Sequence, residues 1–425
     1  MALDTRIVKV PTDESLGAFD PPSSLDTWVP SSTNPAVADL RSAAAYLAAS
    51  DTPVAFPTET VYGLGADATR SPAVRGIYAA KGRPSDNPLI SHIADLSMLR
   101  ALLNPAGTAA SNSTDPIPAI YLPLIQRFWP GPLTILLPNP SASCLAPEVT
   151  AGQPTWGARM PRSPLALSLI KLAGVPLAAP SANASTKPSP TTARHVLDDL
   201  AGRIELILDG GSCAVGVEST VVDGLSLPPA ILRPGGISIA AIRACPGWEA
   251  CVVAYKDHSE VGNSKAAPRA PGMKYKHYSP KAHVTLYEAS CADAAAGVVP
   301  ADAHAVLSRT GGVRVGVIRT QRWAAGGGFT TVDRLSEAPK LTGYEDEDEA
   351  FVVREGQLAG AQGGVLYDID LTSEVRGIAQ GLFQALRALD RRGVDVVFVD
   401  GVADEQDIAG AVMNRLRKAA SDIRS

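Results

Sequence analysis

Short apolar runs alternate with amphipathic segments over the first half of the chain. Between residues 36 and 248, strand-like runs recur, among them 53–56, 133–138 and 204–210. Apolar runs of this length between helices are typical of strands that are buried on both faces of a sheet. The stretch 71–80 instead has apolar residues at helical spacing, which predicts a helix with one buried face. The pattern therefore predicts an α/β domain.

A polar segment rich in proline and glycine, 258–282, interrupts this pattern. It has no periodicity, which is typical of a linker. Beyond it, strand-like runs and an amphipathic helix near 373–390 predict a second α/β domain. We therefore expect an N-terminal extension at 1–35, a first domain at 36–248, a linker at 249–282 and a second domain at 283–425.

Composition narrows the class of protein. The 425 residues are 45% hydrophobic and 19% charged, which is typical of a globular chain and not of a disordered one. The net charge of −5 excludes a uniformly basic nucleic-acid coat, although a local cationic groove is compatible with it. Five cysteines without a CxxC spacing indicate reduced thiols. No apolar run reaches the ~20 residues of a membrane span, and neither a secretory signal nor a transit peptide is recognisable, so we expect a cytoplasmic protein.

The common catalytic and nucleotide-binding motifs are missing. GLGADA at 63–68 matches a dinucleotide fingerprint only formally, because the next helix begins later, at Ser71. The chain contains no GxxxxGK[ST] loop and no GxSxG elbow, and its six histidines are too scattered for a zinc site. The acidic run EDEDE at 345–349 predicts a solvated loop without chemistry.

Short polar motifs follow several of the predicted strands. PTET follows the run at 53–56, SAN follows 176–180, and VGVEST and RPGG follow later strands. In open α/β sheets, ligands bind at the carboxyl ends of the strands. These motifs are rich in hydroxyls, amides and cations and contain few carboxylates, which indicates a pocket for an anionic ligand such as a polyphosphate. KGRP adds Lys81 and Arg83, which we expect on a stiff polar loop outside the core.

Together these motifs carry a family resemblance. FPTETVYGLGADA, KGRPSDNPLISHI, FWPGPLTILLP, APSAN, VGVESTVVDG and LRPGGIS resemble those of the YrdC-type threonylcarbamoyl-AMP synthases. PGMKYKHYSPKA resembles the linker of the two-domain form, and 283–425 is similar mainly in pattern. The resemblance implies an α/β fold: a twisted, open mixed sheet with a concave pocket, followed by a smaller Rossmann-like domain. It also implies that the linker lies over the active site as a lid.

The resemblance also implies an activity. Threonine, bicarbonate or CO2, and ATP would give L-threonylcarbamoyl-AMP and pyrophosphate, through attack of a carbamate on the α-phosphate. The product would pass to a transferase complex that makes N6-threonylcarbamoyladenosine in tRNA. Because a carbamate oxygen is already anionic, the chemistry needs charge neutralisation and positioning more than an activated side chain. We expect Mg²⁺ to arrive with ATP and identify no side chain as its ligand.

The residues that match the family's motifs receive roles from the resemblance. Catalytic roles are implied for Lys81, Arg83, Ser181 and Asn183. ATP contacts are implied for Arg83, Asn87, Thr155, Ser181, Ser189, Arg233, Tyr275 and His277. Threonine contacts are implied for Thr60, His92, Arg159, Ser219 and the backbone at Ala179. A guanidinium fork suits the amino-acid carboxylate at Arg159. One departure is Arg162–Ser163, where relatives carry a small residue and a histidine.

Two other classes of function stay open at this point. One is an RNA-binding module that holds transfer or double-stranded RNA on a basic concave surface, and weak binding of such RNA is compatible with the enzyme as well. The other is a regulatory or ribosome-linked protein that kept the pocket and lost turnover. The presence of both the KxR and the SxN pairs favours the enzyme over the latter.

Overall fold

A computed structural model describes residues 2–105, 115–255, 278–309, 311–345, 347, 349–404 and 408–425. These residues form two compact units. The N-terminal unit comprises 2–185 and 189–255, and the C-terminal unit comprises Thr186–Pro188 and the described residues from 278 onward. Tyr275, His277 and the rest of the stretch 256–277, which is the larger part of the predicted linker, lie outside the described residues, so their expected contacts with ATP and the expected lid stay predictions.

The N-terminal unit has the strands β1 Arg6–Lys9, β2 Gly17–Phe19, β3 Trp28–Pro30, β4 Val54–Pro57, β5 Tyr62–Asp67, β6 Ile90–His92, β7 Leu133–Pro138, β8 Thr155–Arg159, β9 Leu177–Ala178, β10 Leu206–Asp209, β11 Thr220–Asp223, β12 Ala230–Arg233 and β13 Val252–Val253. In the described residues, all but β2 and β3 join one sheet in the order β1-β10-β4-β5-β9-β6-β8-β7-β11-β12-β13. Parallel and antiparallel pairs alternate irregularly, which confirms the predicted mixed sheet.

The helices of this unit are α1 Ala36–Ala49, α2 Ser71–Lys81, α3 Leu96–Leu103, α4 Leu122–Phe128, α5 Pro147–Thr150, α6 Pro164–Ala173, α7 Ala193–Leu200 and α8 Ile239–Arg243. The helix predicted at 71–80 is α2, and the apolar residues at its helical spacing, Val74 and Ile77, are fully buried. It ends at Gly82, whose positive φ of 62° is the left-handed conformation that glycine adopts without a Cβ penalty.

The mixed sheet decides which polar motifs meet. KGRP precedes β6 and SAN follows β9, and these two strands are antiparallel. The start of β6 and the end of β9 therefore lie at the same edge of the sheet. The PTET loop joins the antiparallel strands β4 and β5 and begins beside the pair Pro57 and Tyr62, and Gly63, next to Tyr62, forms a bridge with Ser181 of SAN. The segment before β6 therefore joins the motifs that follow β4 and β9 at this edge, because an antiparallel neighbour contributes its beginning.

The C-terminal unit has the strands β14 His283–Tyr287, β15 Arg314–Arg319, β16 Ser336–Glu337, β17 Val353–Gln357, β18 Val365–Asp370, β19 Val396–Asp400 and β20 Asp422–Arg424 and the helices α9 Pro300–Leu307, α10 Val375–Arg391 and α11 Ala409–Ala419. Its sheet order is β16-β17-β18-β15-β19-β14-β20. The pairs from β18 to β20 are parallel, and β16 and β17 add an antiparallel edge.

One surface prediction for this unit was wrong, and one residue of the predicted linker is buried. Glu347 of the acidic run is not solvated: its side chain is 5% exposed and forms an ion pair with Arg391, whose guanidinium lies 4.2 Å from the centre of the Tyr344 ring. Tyr278, expected in the linker, is a buried core residue that stacks on Phe383 with a centroid distance of 5.2 Å.

Two general expectations can be compared with the described residues. All five cysteines are free thiols, as the absence of any disulfide-like spacing predicted. No helix in the described ranges is long and apolar enough to cross a membrane.

Candidate active site

Lys81 joins two of the predicted motifs. It is the last residue of α2 and is 3% exposed, so the prediction that it stands on a surface loop was wrong. Its ammonium donates hydrogen bonds to the main-chain oxygens of Ser181 and Asn183, both at 2.5 Å. The backbone returns the contact, because Ser185 donates its N–H to the oxygen of Lys81 at 2.9 Å. The buried ammonium and the main-chain oxygen of Lys81 therefore hold the SAN loop against the end of α2.

The SAN loop is also held from within. The Ser181 hydroxyl donates to Oδ1 of Asn183 at 2.5 Å, and Nδ2 of Asn183 donates to the oxygen of Ala184 at 2.9 Å. The N–H of Ala184 in turn donates to Asp199 at 3.1 Å. These bonds hold both side chains of the SxN pair within the loop's own hydrogen-bond network.

Arg83 lies half-buried two residues beyond Lys81, after the Gly82 turn. Its Nη2 donates to the oxygen of Pro88 at 3.1 Å, and the loop is further held by the Tyr78 hydroxyl, which donates to the oxygen of Asn87 at 3.0 Å. Burial raises the pKa of Tyr78 to about 12, so this hydroxyl stays a donor at neutral pH. The side chain of Asn87 is buried, and its Oδ1 has no hydrogen-bond partner in the described residues, which leaves an acceptor for a ligand.

Ser189, Ser219 and Arg233, three more of the predicted ligand residues, are buried. Arg233 ends β12, and its Nη2 donates to the oxygen and the hydroxyl of Ser219 at 2.9 and 3.1 Å. The Ser219 hydroxyl is also 2.8 Å from that of Thr134 on β7. The Ser189 hydroxyl donates to the buried carboxylate of Glu218 at 2.5 Å. The VGVEST motif therefore contains Ser219, predicted to contact threonine, and contacts Ser189 and Arg233, predicted to contact ATP.

Most of the residues that were predicted to contact the substrate threonine lie on segments next to Arg159. His92 and Arg159 are register partners on the parallel strands β6 and β8. The N–H of Ala179 donates to the oxygen of Ile90 at the start of β6, at 3.0 Å. Thr60 lies in the PTET loop beside Glu59, whose Oε1 is 2.7 Å from Nη2 of Arg159. These residues are all nearly buried, which suits a small, enclosed ligand.

His92 is uncharged in this environment. Burial and, to a smaller extent, the positive charge of Arg159 lower its pKa to about 3. Its Nδ1 is buried and has no hydrogen-bond partner in the described part of the chain. A neutral imidazole with an unused nitrogen beside a guanidinium can donate to or accept from a bound ligand without adding charge.

Thr155 and the Arg162–Ser163 pair lie apart from the residues described above. Thr155 begins β8 and Arg159 ends it, so their Cα atoms are separated by about 13 Å at the rise of an extended strand. If ATP contacts Thr155 and threonine contacts Arg159, the two ligands lie at opposite ends of β8. In the atypical Arg162–Ser163 pair, Ser163 caps α6 by accepting from the N–H of Ala166 at 3.3 Å, so its role is in the helix start.

Sequence reasoning missed the two buried carboxylates, Glu59 and Glu218, which lie within PTET and VGVEST. Both touch a predicted ligand residue, Arg159 and Ser189 respectively. The signal was present in PTET and VGVEST, because the glutamate is the sole acidic residue of each. Within the described residues, no group of three or more histidine, cysteine, aspartate or glutamate side chains is arranged to hold a metal.

Two family models together match most of the chain. A family model described as telomere recombination matches residues 47–235, and one described as the threonylcarbamoyl-AMP synthase C-terminal domain matches residues 237–421. The chain is 45% identical to the threonylcarbamoyl-AMP synthase of Schizosaccharomyces pombe, over 99% of this chain and 96% of that protein. It is 41% identical to the synthase of Bacillus subtilis, over 86% of this chain and 89% of that protein.

A solved structure extends the likeness to the fold. The Sua5 protein of Pyrococcus abyssi, crystallised with L-threonine, matches with a TM-score of 0.70 and 36% sequence identity, covering 99% of each chain. Both halves of the sequence are matched, and so are the mixed sheet and the second α/β unit. The chain therefore belongs to the threonylcarbamoyl-AMP synthase family, in its two-domain form.

Proposed function

We propose that the chain synthesises L-threonylcarbamoyl-AMP from threonine, bicarbonate or CO2, and ATP at the site described in the N-terminal unit. As a member of its family it is a nucleotidyltransferase that releases pyrophosphate and supplies the activated group for N6-threonylcarbamoyladenosine in tRNA. The observation that carries the proposal is the Lys81 ammonium, which ties the KxR and SxN pairs into one prearranged edge beside the buried Arg159 cluster.

Threonine is assigned to the cluster around Arg159. The guanidinium is buried and receives the α-carboxylate, because a planar fork matches two carboxylate oxygens. Neutral His92 and the hydroxyls of Thr60 and Ser219 remain for the polar groups of the amino acid. Burial of these groups excludes water, which strengthens their electrostatic interaction with the substrate.

ATP is assigned to the KxR and SxN edge. Arg83 supplies positive charge on a loop that is already held by Pro88 and Tyr78, so little reorganisation accompanies the reaction. Asn87 and the Ser181 hydroxyl add neutral contacts, and Ser189 and Arg233 follow on the neighbouring loops. In this assignment Lys81 acts by holding the loop oxygens in place, since its ammonium is already bound to Ser181 and Asn183.

The reaction then needs alignment more than acid–base catalysis. The carbamate made from the threonine amine attacks the α-phosphorus, and the bond to pyrophosphate breaks. Mg²⁺ enters as part of the ATP complex and screens the phosphate charge. The described residues offer cations, hydroxyls and amides and do not form a carboxylate cluster, so they fit a metal carried by the nucleotide and not a resident one.

The RNA-binding alternative is less well supported. Contacts to a phosphate backbone need cations at the surface, whereas Lys81 is 3% exposed and Arg159 is 4% exposed. Direct, weak binding of tRNA or double-stranded RNA is therefore not assigned to this site. We assign the hand-off of the product to a tRNA threonylcarbamoyl transferase complex, and we place the reaction in the cytoplasm, where the five free thiols stay reduced.

Pyrophosphate release tests the proposal. The purified full chain should release pyrophosphate from ATP only when threonine and bicarbonate are both present, and a threonylcarbamoyl-AMP product should appear in equal amount. Release that is indifferent to threonine would indicate a simple ATP hydrolase. Binding of both substrates without turnover would support the regulatory protein instead.

A further inference from the structure

The PTET loop contains a buried carboxylate that the proposed reaction has not used. The side chain of Glu59 is 10% exposed. Its Oε2 accepts the backbone N–H of Arg162 at 3.0 Å, and its main-chain oxygen accepts the N–H of Val215 at 2.8 Å. The loop on both sides is therefore fixed, and the carboxylate is held in one place.

The pairing of Glu59 with Arg159 is close but incomplete. Oε1 and Nη2 lie 2.7 Å apart, yet neither of these buried atoms has a well-aligned hydrogen bond in the described residues. The Nε of Arg159 is directed instead to the oxygen of Gly131 at 3.3 Å. A buried charged group without good hydrogen bonds is costly, and a bound ligand is one of the ways in which such a group is completed.

A free amino acid complements this pair. Its carboxylate and its ammonium are attached to one carbon, so a negative and a positive charge lie as close together as those of Arg159 and Glu59. We propose that Glu59 binds the α-ammonium of threonine while Arg159 binds the α-carboxylate, so that the two side chains recognise the zwitterion. This inference rests on the proposed function, because it assumes that threonine binds at Arg159.

The neighbouring groups keep the charge balance that this role requires. His92, the register partner of Arg159, is neutral, because burial and the nearby guanidinium lower its pKa to about 3. Burial and the charge of Glu59 raise the pKa of the Cys213 thiol, which therefore stays protonated. Glu59 is thus the negative partner for a substrate ammonium, and the adjacent polar groups add no charge that competes with it.

The test compares two ligands that differ only at the amine. Threonine and 3-hydroxybutanoate share the carboxylate and the hydroxyl, but the second lacks the ammonium. Ligand-observed NMR on the full chain measures both dissociation constants for the wild type and for Glu59→Gln. We expect threonine to bind tenfold to a hundredfold more weakly to Glu59→Gln, as for a lost hydrogen bond to a charged group. The dissociation constant of 3-hydroxybutanoate should change by less than twofold or decrease.

Three results would overturn the inference. Equal weakening of both ligands means that Glu59 only orients Arg159, and unchanged binding of both means that it touches neither. Failure of the wild type to bind threonine at all contradicts the proposed function itself. The ATP dissociation constant of Glu59→Gln should match that of the wild type, which shows that the variant is folded. Glu218→Gln, a buried carboxylate next to Ser189, is the matched control and should leave the ratio of the two ligand affinities unchanged.

Discussion

Both units bury arginine–carboxylate pairs at the ends of strands, but the pairs differ in how completely they are bonded. In the C-terminal unit, Nε of Arg319 lies 2.9 Å from Oδ2 of Asp368, Nη2 lies 3.0 Å from Oδ1, and Nη1 donates to the oxygen of Trp323. The second oxygen of Asp368 also accepts the N–H of Gly326 at 2.7 Å. In the N-terminal unit, Arg159 has one hydrogen bond to Gly131 and an unaligned contact with Glu59.

The same contrast holds for the second pair of the C-terminal unit. Nε of Arg322 donates to Asp400 at 2.7 Å, and its terminal nitrogens donate to the oxygens of Ala289 and Tyr287. Asp400 also accepts the hydroxyl of Thr320 at 2.9 Å. A saturated pair fixes loops, whereas an unsaturated buried pair keeps bonding capacity for a ligand. The degree of saturation, and not the presence of buried charge, distinguishes the binding site.

The largest expected effect is on stability, in the saturated pair. Asp368→Asn removes one charge and leaves the buried guanidinium of Arg319 without its counterion, which costs about 3–5 kcal/mol of folding free energy. Urea unfolding followed by circular dichroism measures this loss. Glu59→Gln in the same assay should cost much less, because the pair it interrupts is poorly aligned. Equal losses in the two variants would remove the distinction between the units.

Arg83→Ala should have the next largest effect, on activity. Loss of one charge-assisted contact to developing phosphate charge is worth about 2.7–4 kcal/mol, or a hundredfold to a thousandfold in rate. The half-buried side chain contributes little to the core, so the unfolding midpoint should hardly move. Turnover is measured as threonine-dependent pyrophosphate release. Near-normal turnover would show that the triphosphate lies elsewhere.

Lys81→Ala gives a comparison for Arg83→Ala, because Lys81 is buried and Arg83 is only half-buried. Its ammonium holds Ser181 and Asn183 from a buried position. Lys81→Ala should therefore lose stability as well as activity, whereas Arg83→Ala loses activity alone. A Lys81→Ala protein that unfolds at the wild-type urea concentration would contradict the structural part of its role.

The sequence predicted the element pattern well and the pairing of side chains poorly. Apolar runs placed β7 at 133–138 and the long helix near 373–390, against Val375–Arg391 in the structure, because burial on a sheet or helix face is a local signal. Lys81 was expected in solvent since charged side chains are seldom buried, and nothing local shows that two distant carbonyl groups enclose it. Glu59 was overlooked for the same reason, because its partner Arg159 is remote in sequence.

Arg159→Lys tests the unsaturated arginine directly. The charge is kept, but an ammonium cannot form the planar two-point contact with a carboxylate. We therefore expect the binding free energy of threonine to become less favourable by about 1.5–3 kcal/mol. ATP affinity should change little. Calorimetric titration of each substrate measures both. An equal loss for the two substrates would indicate general damage to the pocket instead of a specific carboxylate contact.

The smallest effect concerns His92, whose buried Nδ1 also lacks a hydrogen-bond partner among the residues that the structure describes. Burial lowers its pKa from 6.5 to about 3 in the folded protein. Between those pH values the unfolded chain binds more protons than the folded one, so stability falls as the pH is lowered. The slope is about 1.4 kcal/mol per pH unit for one such group. Above pH 6.5 this contribution is constant.

His92→Asn should remove that part of the slope. Urea unfolding at about pH 8, 7, 6 and 5, one unit apart as the linkage slope requires, should show the free energies of unfolding of wild type and variant converging or crossing as the pH falls below 6.5. Above pH 6.5 the two curves should run parallel, which serves as the internal control. If the curves stayed parallel down to pH 5, the folded protein would be protonating His92 at little cost. The imidazole beside Arg159 would then be hydrated or paired with an anion, and the site would be less enclosed than the unpaired atoms of the N-terminal unit indicate.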